Sequence, residues 1–163
     1  MGAINQLSLE IPPTGRVFSI ITEDPRAPLH WLALLKHEYG ISTSIYTRLS
    51  PQRLAKHINL NSTEFHWLSE SNDEYSLTPS LERIHHSIST RISTDSGIVW
   101  IDAIEYLISR QGFDAFLSFT RSLSDELSAT GWTLILPLSP LSLENTQLAH
   151  IRREASTIDI GQI

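Results

Sequence analysis

The stretch Ile98-Val99-Trp100-Ile101-Asp102 decides the fold. Four apolar residues in succession, three of them β-branched, lack the apolar-polar alternation of a strand with one wet face. They read as a strand buried on both faces, and strands of that kind belong to parallel sheets covered by helices on each side. Gly97 releases the chain into this strand, and Asp102-Ala103-Ile104-Glu105 leaves it.

Working outward, shorter runs of the same character recur with helical patterns between them. Arg16 to Ile21 and Ile41 to Thr47 precede the central strand, Phe65 to Leu68 adds a short one, and Trp132 to Leu136 follows it. Thr157 to Ile160 fits a short edge strand. Between the first two, Trp31, Leu32, Leu35 and Tyr39 follow the spacing of one helix face, and Gly40 stands where a helix stops. Ser50-Pro51 supplies an N-cap followed by proline at the first helical position, predicting a helix to about Asn59. Thr78-Pro79 repeats that signal ahead of a stripe of Leu81, Ile84, Ile88 and Ile92. Phe113 to Leu127 predicts a long amphipathic helix closed by Gly131, and Ser142 caps a last helix to about Ala155. Alternating strands and helices of this kind predict right-handed βαβ units. The expected architecture is α/β in three layers: a mainly parallel central sheet of about five strands with helices on both faces. Residues 15–163 are expected to form one such domain, with 1–14 as an N-terminal extension.

Composition narrows the chemistry. With 163 residues the chain suits one core. The absence of cysteine excludes disulfides, thiolate metal sites and cysteine nucleophiles. A net charge of −6 removes the general attraction for phosphate backbones, so no nucleic-acid partner is expected. No run reaches the roughly 18 apolar residues of a membrane helix. The N-terminus carries no readable secretory signal, so the expected location is cytoplasmic.

In an open parallel sheet, ligands bind beyond the C-terminal strand ends. Thr22, Glu23 and Asp24 leave the first strand, Thr47 and Arg48 the second, Ser69 and Glu70 the third, Asp102 and Glu105 the central one, and Ser139 the last. These residues suit a polar ligand or a partner loop, but residues of these types at strand-to-helix junctions more commonly cap the next helix. Asp102-Ala103-Ile104-Glu105 in particular has the form of a capping box, in which Asp102 accepts from the Glu105 backbone. Four apolar residues followed by Asp also match a Walker B strand, but no G-x-x-x-x-G-K-[ST] loop accompanies it. Of twelve basic residues only Lys36 and Lys56 are lysines, and neither follows a glycine-rich turn. Glu82 and His86 stand at i, i+4 spacing, whereas adjacent His85 and His86 point about 100° apart on a helix and do not share a metal. No G-x-S-x-G elbow marks a nucleophilic serine. No catalytic residue, metal site or cofactor is therefore expected.

Several stretches in order resemble the archaeal family called domain of unknown function 835. The most specific is Val99-Trp100-Ile101-Asp102-Ala103-Ile104-Glu105-Tyr106-Leu107-Ile108 followed by Gly112-Phe113. Thr47-Arg48 with Ser50-Pro51, Trp67-Leu68-Ser69, Pro79 with Leu81-Glu82, and the Leu148 to Glu154 helix accompany it. Ala103 departs from the glycine expected in many relatives. The resemblance implies a degenerate RecA-like or KaiC-like core lacking the nucleotide-binding loop, and places interest on Glu23, Arg48, Asp102 and Glu105 as candidate ligand-binding residues. Two functions are expected from these readings. One is a non-enzymatic regulatory or signalling module that binds a protein partner or itself, through a helix face such as Trp31 and Tyr39 or the Phe113 to Phe119 surface. The alternative is a sensor in which Arg48 binds a small anionic ligand at the strand-end edge.

Overall fold

The computed structural model describes residues 9–161, of which the expected extension contributes 9–14; residues 1–8 lie outside it. The sheet contains β1 (Val17–Ile21), β2 (Thr43–Thr47), β3 (Thr63–Leu68), β4 (Ser76–Leu77), β5 (Ser96–Ile101), β6 (Gly131–Leu138) and β7 (Ser156–Thr157). Their order is β4-β3-β2-β5-β6-β1-β7, and every neighbouring pair is parallel. Seven strands therefore stand where about five were expected. β4 has only two residues, too few to carry a period, and the edge strand expected over Thr157–Ile160 sits at Ser156–Thr157 instead.

Two apolar layers sandwich the sheet. α1 (Arg26–Tyr39) and α2 (Pro51–Leu54) cover one face, where Leu29, Trp31, Leu32, Leu35 and Leu54 meet Phe18, Ile20, Ile45, Trp100 and Ile135. The opposite face carries α3 (Leu81–Arg91), α4 (Ile104–Gln111), α5 (Phe113–Leu127) and α6 (Asn145–Glu154), packed on Val99, Ile101, Trp132, Leu134 and Leu136. The division follows from handedness. The chain travels one way across the sheet from β1 to β4 and the other way from β4 to β7, so right-handed crossovers place the two sets of helices on opposite faces.

Local signals set most boundaries. Gly40 adopts φ 65 and donates its N–H to the Lys36 carbonyl, ending α1. The Ser50 hydroxyl accepts from the Arg53 N–H and Pro51 opens α2, but regular helix stops at Leu54 rather than near Asn59. α3 is capped by Ser80, not Thr78, and α6 by Glu144, not Ser142, because Glu144 and Gln147 form a reciprocal capping box. α5 ends at Leu127, leaving Gly131 to begin β6.

The helix faces offered as partner surfaces are core. Trp31, Phe116 and Phe119 are buried, and Tyr39 is exposed, its hydroxyl donating to the Leu9 carbonyl. His85 leaves the expected His/Glu pattern to join Glu126 across α3 and α5, while the Ser89 hydroxyl donates to the same carboxylate at 2.5 Å. Burial raises the Glu126 pKa, but the His85 and Ser89 hydrogen bonds and the His85 charge outweigh it and hold the carboxyl below its ordinary value. His85→Ala is expected to lower stability by about 0.5 kcal/mol, since the pair is solvated. That loss should fade as pH falls through the depressed Glu126 pKa, as chemical denaturation at several pH values would reveal.

Candidate functional site

The loops after β1, β2, β5 and β6 diverge around a pocket of about 390 Å³ at the C-terminal edge of the sheet. Glu23, Arg48, Asp102 and Glu105 all line it, with Thr22, Thr47 and Ser139. Among the residues singled out at the strand ends, Asp24, Ser69 and Glu70 are elsewhere. The Asp24 carboxylate accepts from the Arg26 N–H at the start of α1, the Ser69 hydroxyl accepts from the Ser71 N–H, and Glu70 pairs with Arg110 at 3.6 Å.

Most of the pocket wall is apolar and was not readable from the strand-end rule. Pro25 caps α1 and Pro28 and Leu29 come from its first turn, Leu49 follows β2, and Trp100 forms part of the floor. Pro137 belongs to this wall because β6 outruns β5. The pairing of β5 with β6 ends at Trp100 and Ile135, whereas β1 follows β6 to Leu138. The Leu134 N–H bonds to Arg16 of the β1 side, so by two-residue alternation position 137 turns toward β5, beyond the last pair of that ladder. A proline there loses no sheet bond.

Asp102 is the lining residue whose ionisation the fold perturbs most clearly. Its backbone N–H continues the β-ladder by donating to the Tyr46 carbonyl at 3.1 Å, so the residue still belongs to the strand. That placement defeats the expected capping box. α4 has Ala103 at its N-cap without any side-chain cap bond, and the Asp102 carboxylate instead accepts from Thr47 Oγ1 at 2.9 Å. Glu105 does not reach back either; its Oε2 accepts from the Ser139 N–H at 3.1 Å. Adjacent strands simply present better donors than the helix start.

The Asp102 carboxyl keeps a partly open surface toward the pocket but is surrounded by protein, and its pKa is pushed up to about 6. Burial is the main cause, and the Glu105 charge adds to it. Hydrogen bonds from Thr47 and the Arg48 backbone, and the nearby Trp100 indole N–H, oppose the shift. That indole nitrogen is fully buried and completes no hydrogen bond of good geometry.

An acid with a raised pKa binds its proton more tightly in the folded than in the unfolded chain. Stability therefore declines as pH rises from about 4 through about 6, and the whole penalty is present above that range. Asp102→Asn removes the charge while retaining the shape and an acceptor for Thr47. It is expected to raise stability at pH 7.5 by about 1 to 2 kcal/mol, and by much less at pH 4. Urea denaturation at both pH values checks this; a destabilising effect at pH 7.5 would show that the carboxylate serves packing.

Charge on the pocket lining is predominantly negative, three carboxylates to one guanidinium. Among the described residues, no ion pair involves Glu23, Asp102 or Glu105, and Arg48 is the one basic side chain on the lining. Its guanidinium donates to the Leu68 carbonyl at 2.8 Å and lies 4.0 Å from the centre of the Tyr106 ring. The anion-gripping role expected for Arg48 thus lacks a free guanidinium in this arrangement. Lys36, the lysine of α1, is at the opposite edge, where Nζ donates to the Ile41 and Asn61 carbonyls and Thr43 Oγ1.

Comparison with known proteins supports this architecture. A family model described as a protein of unknown function, DUF835, matches residues 28–155. No curated protein matches the chain by sequence. Among solved structures, the flagellar accessory protein FlaH from Methanocaldococcus jannaschii is similar with a TM-score of 0.61 and 15% identity, covering 88% of this chain and 70% of that one. The likeness carries the RecA/KaiC type of fold, a parallel sheet between two helical layers.

Proposed function

The chain belongs to the DUF835 family of proteins of unknown function, and on that footing we propose that it is a non-enzymatic regulatory module whose strand-end pocket receives a small ligand. The observation that carries this reading is Asp102. A fold selected for stability alone has no use for a carboxyl that burial pushes up to about 6 at the floor of an open, mainly apolar pocket. The position is also the one where parallel sheets bind ligands.

Nucleotide chemistry is disfavoured by the turn between β1 and α1. A phosphate cradle there needs glycine amides and a lysine. This turn reads Thr22-Glu23-Asp24-Pro25, two carboxylates and a proline. A partner or a second copy docking on a broad apolar face has less support, because among the described residues the large exposed apolar side chains are four, of which only Ile11 and Tyr39 line a common hollow. FlaH is described as an accessory protein, and a module whose occupancy is read by another protein fits a role of that kind.

The test is a thermal-shift screen of small metabolites with Leu49→Trp as the control. Leu49 is half-buried on the pocket wall, and an indole there fills the space. A ligand that raises the melting temperature of the native chain should lose at least about tenfold in affinity with this variant. A shift that survives Leu49→Trp unchanged would refute the pocket as the functional site.

A further inference from the structure

Resting on the pocket reading above, we propose that the ligand is a primary ammonium carried on a short apolar body, held with its cation toward Asp102 and Glu105 and its hydrocarbon against Pro28, Leu29 and Leu49.

Three independent features of the pocket converge on that class. First, carboxylates outnumber cations on the lining by three to one, and none of the three is ion-paired. Glu23 follows β1, Asp102 ends β5 and Glu105 opens α4, and none has a basic partner among the described residues, while the Arg48 guanidinium is held against the Leu68 carbonyl and the Tyr106 ring. An anion would meet three carboxylates, whereas a cation supplies the missing counter-charge. Second, the acids are spread around the cavity. Among the described residues, no three acidic or histidine side chains gather closely enough to hold a metal ion. A polyatomic cation with several N–H donors can bridge separated acceptors where a single ion cannot. Third, most of the remaining wall is hydrocarbon, so a bare hydrated ion gains little, and an alkyl chain removes its own surface and that of the wall from water together. A volume of about 390 Å³ admits a body of several carbon atoms.

The groups that set the pH response are few. Glu105 from α4 adds negative charge next to Asp102, Glu23 and Arg48 stand on the β1 and β2 loops, and the β6 end contributes the uncharged Ser139. Since Asp102 titrates near 6, an ammonium should bind well at pH 7.5 and poorly at pH 5.

The experiment titrates the full chain with butylammonium, butanol and butyrate, followed by backbone amide NMR shifts. Butylammonium is expected to bind about tenfold more tightly than butanol, and butyrate more weakly than either. Asp102→Asn should lower the butylammonium affinity about tenfold and abolish its pH dependence, and Glu23→Gln about twofold. Leu49→Trp should block all three compounds. Butyrate binding as tightly as butylammonium, with Leu49→Trp still blocking both, would overturn the ammonium assignment and leave the pocket reading intact. Shifts indifferent to Leu49→Trp would overturn both. An affinity for butylammonium unchanged by Asp102→Asn would likewise overturn the assignment.

Discussion

Trp100→Ala is expected to lower stability by about 4 kcal/mol, the upper range for deleting a large aromatic from a packed core. Trp100 is completely buried on the strand at the middle of the sheet, paired in register with Ile45 on one side and Ile135 on the other. Its ring stacks on Trp31 of α1 with centroids 6.4 Å apart and planes 26° from parallel. The deletion therefore removes the contact that seats α1 on the sheet, and it opens the pocket floor from below. Neighbours cannot close the space without dragging α1 off Ile20 and Ile135. Trp100→Phe isolates the other half of the residue. It keeps most of the stacking surface and removes the buried indole N–H that lacks a proper acceptor, so the loss should stay within about 1.5 kcal/mol. Guanidinium denaturation of the two variants reads both effects. Equal losses for Ala and Phe would mean that the N–H, not the ring, carries the contribution.

The same residue shows what a sequence reveals and what it withholds. As part of Ile98 to Ile101, Trp100 announces a strand buried on both faces, because an unbroken apolar run has no wet side, and that reading fixed the sheet type and its central strand. Nothing in the run says that its indole ends beneath a cavity, since that depends on β6 extending past β5. Asp102 marks the same boundary. The strand-end rule places it at the ligand edge, where it is. Its neighbours one to three residues away suggest a helix cap, and the partner it takes is Thr47, 55 residues earlier. Spacing along the chain favours the local partner, and only the adjacency of β2 and β5 supplies the better one. Arg48 is a related case. Its charge can be counted in a sequence, but the Leu68 carbonyl and the Tyr106 ring that engage it are tertiary.

Gly97→Ala should be nearly as damaging as the loss of Trp100, about 3 kcal/mol, through overpacking instead of a cavity. A Cβ at position 97 would stand 2.3 Å from the Ser42 carbonyl oxygen and 2.8 Å from Cζ3 of Trp132. Neither atom can retreat cheaply. The Ser42 carbonyl accepts the Ile98 N–H at 3.0 Å and so anchors the start of β5, while Trp132 is fully buried, donates Nε1–H to the Thr94 carbonyl and lies under the Arg91 guanidinium. The strand must shift away from Ser42, and β5 is a rigid rod whose other end carries Trp100 and Asp102. Gly97→Ala is thus expected to weaken butylammonium binding as well, although position 97 lies about 16 Å along the strand from Asp102. Gly40→Ala provides the contrast. Its added Cβ meets nothing within 4 Å, so only the left-handed backbone at φ 65 opposes it, for about 1 kcal/mol, with the pocket unaffected. Denaturation midpoints and butylammonium titrations of the two variants separate the cases. A Gly97→Ala protein as stable as Gly40→Ala, with native affinity, would show that the start of β5 yields locally and does not set the height of the pocket floor.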